Sequence, residues 1–165
     1  STPEGKATSD LTHYRSEANK LRERLAGGDP TVDPRQLEQL DGIQLKRSKI
    51  WQLYWGNLKS LEEEGKVKLP FIPDYSSNNA HVFYLVCQNK EERNNLISYL
   101  RKKGIMAVFH YLPLHKSPYF KDKYQGNPLP NAVRVADCLV RLPLFYELSE
   151  GNVERICNEI KSFFG

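Results

Sequence analysis

The fold is decided by the stretch Gly104-Ile105-Met106-Ala107-Val108-Phe109-His110-Tyr111-Leu112-Pro113-Leu114-His115-Lys116-Ser117-Pro118-Tyr119, which begins as an apolar run and ends among rings and prolines. Five apolar residues precede His110, a pattern typical of a buried strand. Pro113 and Pro118 then stop ordinary strand pairing, because proline has no backbone N–H to donate. The pattern therefore predicts a strand at 105–110 that leads into a loop.

Three polar side chains lie where this strand meets the loop: His110, Tyr111 and His115. Side chains at strand ends on a rigid scaffold are where binding and catalytic sites are usually built. The loop at 111–131 is longer than the roughly 12–15 residues usual in compact domains, and it is rich in aromatic side chains. The sequence therefore predicts a ligand-binding loop.

The flanking elements predict the rest of the sheet. The clearest strand is 81–87, which is apolar on both faces. Asn89 followed by Glu92 has the spacing of a capping box, so a helix is expected at 90–103. A strand, a helix and a strand joined by short connections predict a split β-α-β unit.

The predicted fold class is α+β, with a small, mostly antiparallel sheet flanked by helices and preceded by a long linker helix. The strands are expected at 66–70, 81–87, 105–110 and 140–143, and the helices that cover one side of the sheet at 90–103 and 150–164. A short helix capped by Asn131 is expected through Cys138.

The linker helix is expected at 34–64, with Asp33 as its N-cap and Pro34 at its first position. A helix of this length, about 45 Å, either bridges two bodies or contains a kink, for which Gly42 and Gly56 are the weak points.

Residues 1–33 form a separate N-terminal part, and 34–165 form the domain. Residues 1–10 have a disordered composition. A narrow apolar stripe from Leu11 to Leu25 follows and predicts an amphipathic helix. This helix either packs on its own domain or recruits a partner.

The composition is that of an ordinary globular chain of one domain, with 165 residues and a net charge of +4. No apolar run approaches the roughly 20 residues of a membrane helix, and the N-terminus lacks the pattern of a signal peptide. The three cysteines are far apart, which favours a reducing, cytoplasmic compartment over a disulfide framework. The positive charge is mild; it is compatible with an anionic small molecule but does not single out any class of partner.

No self-sufficient catalytic set is visible among the residues. His110 and His115 have no carboxylate or thiol nearby, which makes a metal site unfavoured. Ser117 has no nucleophile-elbow context, and no glycine loop for phosphate is present. No basic stripe with interleaved stacking residues indicates a nucleic-acid partner. The near-neutral pKa of a histidine would let His110 donate a hydrogen bond to a ligand phosphate or hydroxyl.

An ordered series of motifs resembles the DegT/StrS-type nucleotide-sugar aminotransferases, a pyridoxal-phosphate (PLP) family of fold type I. The resemblance covers about residues 37–165 and leaves residues 1–33 unmatched. It is carried by Gln39-Leu40-Asp41 with Lys46-Arg47 and Trp51, by 69–74 and 79–84, by Ile105 to His115, and by Arg141 to Ser149.

This resemblance implies amino transfer from glutamate to the keto group of a nucleotide-linked sugar, as in polysaccharide or O-antigen biosynthesis. In that family the lysine that forms the Schiff base, and the acid that pairs with the pyridine nitrogen, lie in a larger N-terminal domain. No lysine here has the family's active-site context. The resemblance therefore implies that 34–165 is the small C-terminal domain, with no catalytic or cofactor-binding residue and no PLP expected on this chain alone.

The resemblance also implies site residues and partners. His110, Tyr111 and His115 match the family's substrate-side motif and are expected to contact substrate. Arg141 matches as well, although an ion-pair or strand-end role is an equal alternative. The expected partners are a nucleotide sugar and a large PLP-binding domain or homodimer partner. A free-standing, non-catalytic interaction or regulatory module derived from this domain is the alternative function.

Overall fold

The computed structural model describes residues 16, 19–24, 26–27 and 34–165, of which 34–38 are described in their backbone alone. Residues 19–24 are helical, as the apolar stripe predicts. The tail expected to be disordered, 1–10, and the expected cap Asp33 lie outside the described residues.

The linker helix α1 spans Pro34–Glu63 and runs unbroken through Gly42 and Gly56. Among the side chains that the structure describes on this helix, those in the core lie in its C-terminal half. The side chains that it buries there recur at helical spacing and are Ile50, Trp51, Tyr54, Leu58 and Leu61. The helix ends at Gly65, whose φ of +71° suits glycine because this left-handed region is costly for residues with a Cβ.

The sheet has three strands in the order β1-β3-β2, with β1 at Phe83–Val86, β2 at Val108–Phe109 and β3 at Leu139–Leu142. Because β3 is antiparallel to both neighbours, β1 and β2 run parallel to each other with β3 between them. Helix α2, at Lys90–Lys102, joins the two. The predicted split β-α-β unit is confirmed.

Local signals explain where the helices begin. The Asn89 side chain accepts a hydrogen bond from the N–H of Glu92 at 2.9 Å, which confirms the cap of α2. Helix α3 spans Pro130–Cys138 and so begins before the expected cap Asn131, because proline is well suited to the first helical position. Helix α4 spans Glu150–Phe164, and Ser149 caps it through the N–H of Asn152. None of the described helices is long and apolar enough to cross a membrane.

Three predicted strands are shorter than expected: 81–87 is reduced to Phe83–Val86, and 66–70 and 105–110 are reduced further. The segment 66–70 forms a single bridge, between Lys68 and Val86. The pairing does not extend, because Lys66 donates its N–H to the carbonyl of Leu61 and Pro70 has no N–H to donate.

The segment 105–110 pairs with β3 only at β2. The N–H groups of Ile105 and Ala107 bond locally, to Leu100 and Ile105, and therefore do not pair with β3. The register places Met106 opposite Pro143, which has no N–H to donate.

The core lies between one face of the sheet and the helices. Phe83 is its centre: the ring of Tyr54 stacks on it with centroids 5.0 Å apart, and Trp51 meets it edge-on at 5.3 Å. Phe83, Leu85, Val140 and Leu142 are buried on this inner face. The alternate residues, Tyr84, Arg141 and Val108, share the outer face because they are cross-strand partners.

Candidate functional site

The loop that follows β2 positions the predicted site residues. It contains a single 3₁₀ turn, Leu114–Lys116, and leads into α3. Contacts between residues of the loop stabilise its conformation. The Tyr124 hydroxyl donates a hydrogen bond to the carbonyl of Asn127 at 2.6 Å, and the Lys123 ammonium lies 3.6 Å from the ring centroid of Tyr119. The loop at 111–131 is therefore a folded segment with aromatic contacts.

His110 lies at the base of this loop, half-buried. Its Nδ1 is buried and has no hydrogen-bond partner, and its ring lies 4.7 Å from that of Tyr111 between centroids. Burial lowers the pKa of His110, and the positive charges of Arg141 and then His81 lower it further. The imidazole is thus neutral over most of the physiological range and has an unused polar atom.

Arg141 is on the central strand β3, opposite Tyr84 on β1 and Val108 on β2. It is half-buried, and no carboxylate among the described residues forms an ion pair with it. The alternative that Arg141 serves an ion pair therefore has no support in the described part of the chain.

His115, the fourth residue predicted for the site, contacts a different part of the loop. His115 lies on the 3₁₀ turn, and its ring packs on Tyr124 with centroids 5.4 Å apart. Within the described part of the chain, no hydrogen bond, ion pair or ring contact joins it to His110 or Arg141. The structure thus brings His110, Tyr111 and Arg141 together and assigns His115 to the interior of the loop.

His81 is a residue that sequence analysis did not include in the site. It lies just before β1, exposed, and its Nδ1 is 2.9 Å from Oδ1 of Asn79. Its charge is close enough to His110 to affect that residue's pKa. We name His81, His110 and Arg141 the basic cluster. No local sequence signal could have identified His81, because its position depends on how β1 and β2 align.

The basic cluster can attract an anion. It combines the permanent positive charge of Arg141 with the imidazole of His110, which gains a proton more readily when a negative group approaches, and with the ring of His81. The exposed ring of Tyr111 stands beside it and offers a surface for stacking. Two shallow surface pockets, beside Phe163 and beside Lys46, lie elsewhere. No group of three metal-ligating side chains occurs among the described residues.

A family model described as the DegT/DnrJ/EryC1/StrS aminotransferase family matches residues 13–161. The match begins upstream of the motifs quoted above and so includes part of the segment 1–33. The fold is similar to a DegT DnrJ EryC1 StrS aminotransferase from Brucella abortus, with 27% identity and a TM-score of 0.69 over 81% of this chain and 34% of that chain.

Two further structures have the same fold. DesV from S. venezuelae, solved in complex with a ketimine intermediate, is 25% identical, with a TM-score of 0.70 over 78% of this chain and 33% of that chain. NtdA from Bacillus subtilis, with bound cofactor PMP, is 21% identical, with a TM-score of 0.67 over 77% and 29%. The chain thus spans about a third of the length of the structures that it matches.

The lysines of the described residues do not fit the role of a Schiff-base lysine. That role needs an amine held beside the carbonyl carbon of PLP, in an enclosed site. Every described lysine is exposed or half-buried. Several face carboxylates on the surface, such as Lys90 with Asp137 at 3.2 Å and Lys103 with Glu159 at 3.2 Å.

Proposed function

This chain belongs to the DegT/DnrJ/EryC1/StrS aminotransferase family, and we propose that it forms the small, substrate-side part of a PLP-dependent sugar aminotransferase. The proposed reaction moves an amino group from glutamate to the keto group of a nucleotide-linked sugar. The motif at 105–115 resembles that of dTDP-4-amino-4,6-dideoxygalactose transaminase, which makes dTDP-linked sugars the first substrates to test. The compartment that we expect is the cytoplasm.

The observation that carries this proposal is the basic cluster beside the loop, in which Arg141 forms no ion pair with a carboxylate of the described residues. Arg141 binds a phosphate of the nucleotide, because a guanidinium without a carboxylate partner has its donors available. His110 donates to a second oxygen and becomes more basic as the negative charge approaches. Tyr111 covers the sugar or the base. His115 either stabilises the conformation of the loop or contacts the end of the substrate that lies away from Arg141.

PLP supplies the electron sink for amino transfer when it is bound to the complete enzyme. The residues of this chain have a different task, which is to hold the nucleotide and to orient the sugar toward the cofactor. We infer that the Schiff-base lysine comes from a larger domain or from a partner chain, since the lysines described here do not fit that role. This chain alone is then inactive and does not retain PLP.

The first experiment measures binding of dTDP to the purified chain by calorimetry. We expect Arg141→Gln to raise Kd about tenfold, in keeping with the loss of one charged hydrogen bond. The matched control is Arg134→Gln, which changes an exposed arginine of α3 and should leave Kd unchanged. Equal Kd values for the wild type and Arg141→Gln would overturn the assignment of this site.

The second experiment tests whether the Schiff-base lysine lies outside this chain. The chain is incubated with PLP and reduced with borohydride, and we expect no lysine to be labelled. Amino transfer should appear only when a lysine-bearing large domain of the family is added. Stoichiometric labelling of one lysine in the isolated chain would contradict the proposal.

A non-catalytic interaction module is the second candidate. It is favoured by the exposed aromatic side chains of the loop region, where Tyr111 and Tyr119 are 75% and 67% exposed. A chain that binds neither dTDP nor a large domain but forms a stable complex with another protein would favour this candidate.

A further inference from the structure

Arg93 is a charged side chain in the interior of the described chain. It lies on α2 and is only 6% exposed. Its Nε is buried and has no hydrogen-bond partner. Its guanidinium contacts the ring of Phe109, whose centroid is 5.5 Å from the guanidinium carbon. Among the described residues no carboxylate forms an ion pair with Arg93.

Two acidic groups, one on α2 and one on α3, are engaged elsewhere. A carboxylate oxygen of Glu92 accepts the N–H of Gln88 at 2.7 Å, and Asp137 pairs with Lys90 at 3.2 Å. A buried guanidinium nitrogen without an acceptor is unfavourable, because the Nε of Arg93 has lost its hydration without gaining a partner. An anion that reaches Arg93 from outside would therefore lower the free energy of the complex.

The surface next to Arg93 exposes apolar side chains and an unpaired strand edge. Phe109 belongs to β2, which pairs with β3 on one side only and so leaves one strand edge unpaired. Its ring is 56% exposed, and Met106 nearby in the chain is 71% exposed. Exposed apolar edge strands favour association with another chain, and an arginine beside an aromatic ring is typical of the centre of a protein interface.

We propose that Arg93 and Phe109 form the centre of a protein interface, and that the partner presents an aspartate or glutamate flanked by apolar side chains. The carboxylate accepts hydrogen bonds from the guanidinium, while the apolar neighbours cover Phe109 and the free edge of β2. The occupant follows from the proposed function, on which this inference rests. It is the larger part of the aminotransferase, since this chain spans about a third of the structures that it matches.

The charge complementarity is tested with the whole chain and a small probe. The probe is acetyl-Leu-Asp-Leu-amide, and its control is the Asn peptide of the same shape. We expect the aspartyl peptide to shift the NMR signal of the Arg93 Nε–H and the ring signals of Phe109 in a saturable way, and the Asn peptide to shift neither. Arg93→Met should abolish the shift of Phe109, whereas Arg101→Met, on the exposed side of α2, should preserve it.

Inorganic phosphate, at the same ionic strength, is the third probe in this NMR titration. A shift with phosphate that equals or exceeds the shift with the aspartyl peptide would assign the site to a general anion and overturn the proposal. Equal responses to the Asp and Asn peptides would also overturn it, because the carboxylate would then be irrelevant.

Thermal unfolding tests whether Arg93 is unsatisfied in the isolated chain. Arg93→Met keeps much of the apolar stem and removes the charge, so we expect Tm to rise. A fall in Tm would show that the charge is satisfied within the chain and would contradict the proposal.

Binding to a lysine-bearing large domain then separates this inference from the proposed function. We expect Arg93→Met to weaken that complex at least tenfold while Arg101→Met leaves it unchanged. If the wild type and Arg93→Met bind equally, the interface is wrong and the proposed function stands. If the wild type does not bind the large domain, the proposed function fails, and with it the occupant named here.

Discussion

The hydroxyl of Tyr54 donates a 2.8 Å hydrogen bond to the backbone carbonyl of Pro143. The bond ties the linker helix α1 to the residue that follows β3, and Arg141 lies two positions earlier on that strand. Tyr54 is itself fully buried against Phe83. The position of the helix and the position of the basic cluster are therefore coupled through a single side chain.

Removing this hydroxyl should destabilise the chain without changing its packing. We expect Tyr54→Phe to lower the free energy of unfolding by about 1–2 kcal/mol, because the carbonyl of Pro143 loses its partner in a partly buried place. Urea unfolding followed by circular dichroism measures the loss. Tyr75→Phe is the control, since Tyr75 is 93% exposed, and it should have no effect. Equal stabilities for the two variants would show that the bond contributes nothing.

Two glycines should respond to alanine with opposite signs. Gly104 follows α2 with a φ of +73°, and a Cβ there would meet open space. Gly104→Ala should therefore cost about 1 kcal/mol through backbone strain alone. Gly56 also has open space around it but lies inside α1, so Gly56→Ala should stabilise the chain by roughly 0.5–1 kcal/mol. Thermal unfolding of both variants checks the signs, and a stabilised Gly104→Ala would refute the strain argument.

The pKa of His110 should change when its charged neighbours are replaced. Burial and then Arg141 hold its pKa below the ordinary value of about 6.5, so the folded chain resists protonation there. Arg141→Gln should raise this pKa toward the ordinary value, and His81→Asn should raise it by a smaller amount. NMR of the His110 Cε1–H measures the midpoint, and His115→Gln should leave it unchanged.

The same shift has a consequence for stability. As the pH falls from about 6.5 toward the pKa of His110 in the folded chain, the unfolded state binds a proton that the folded state does not. The free energy of unfolding should therefore decrease over this interval. His110→Gln should reduce the decrease in urea titrations, and an identical pH dependence in this variant would contradict the argument.

The buried cysteines should be unreactive while the chain is folded. Burial raises the pKa of Cys87 to about 12 and that of Cys157 to about 12, so few thiolates exist at pH 8. We expect no labelling by a disulfide reagent in buffer and rapid labelling in urea. Ser98→Cys, at an exposed position on α2, supplies a thiol that should react at once. Fast labelling of the native wild type would show that the core opens locally.

The parts of the fold that follow from local chemistry could be predicted from the sequence. The cap at Asn89, the turn at Gly104 and the β-α-β order depend on residues close together in the chain. Strand lengths could not be predicted as well, because Lys66 donates its N–H to the carbonyl of Leu61 and so does not extend the pairing at 66–70. That bond forms where the chain turns out of α1, and no residue pattern in the sequence marks its effect on the strand.

The candidate site was predicted in part for the same reason. Sequence analysis placed His110 at the mouth of the loop and could infer Arg141 only from the resemblance, since its proximity to His110 depends on the register of β3. His115 was grouped with His110 by spacing, whereas the loop turns its ring onto Tyr124. Arg93 carried no signal at all, because it lies among charged residues on a helix whose other face is exposed.

The middle position of β3 in the sheet has a consequence for synthesis of the chain. Strands β1 and β2 emerge from the ribosome first, and neither can pair with the other, because the strand that belongs between them is made last. The sheet therefore closes only after Leu142 is available, and folding waits for a contact between distant parts of the sequence. Any product that terminates before Leu139 would expose two apolar strands without a partner and become a substrate for chaperones or proteases.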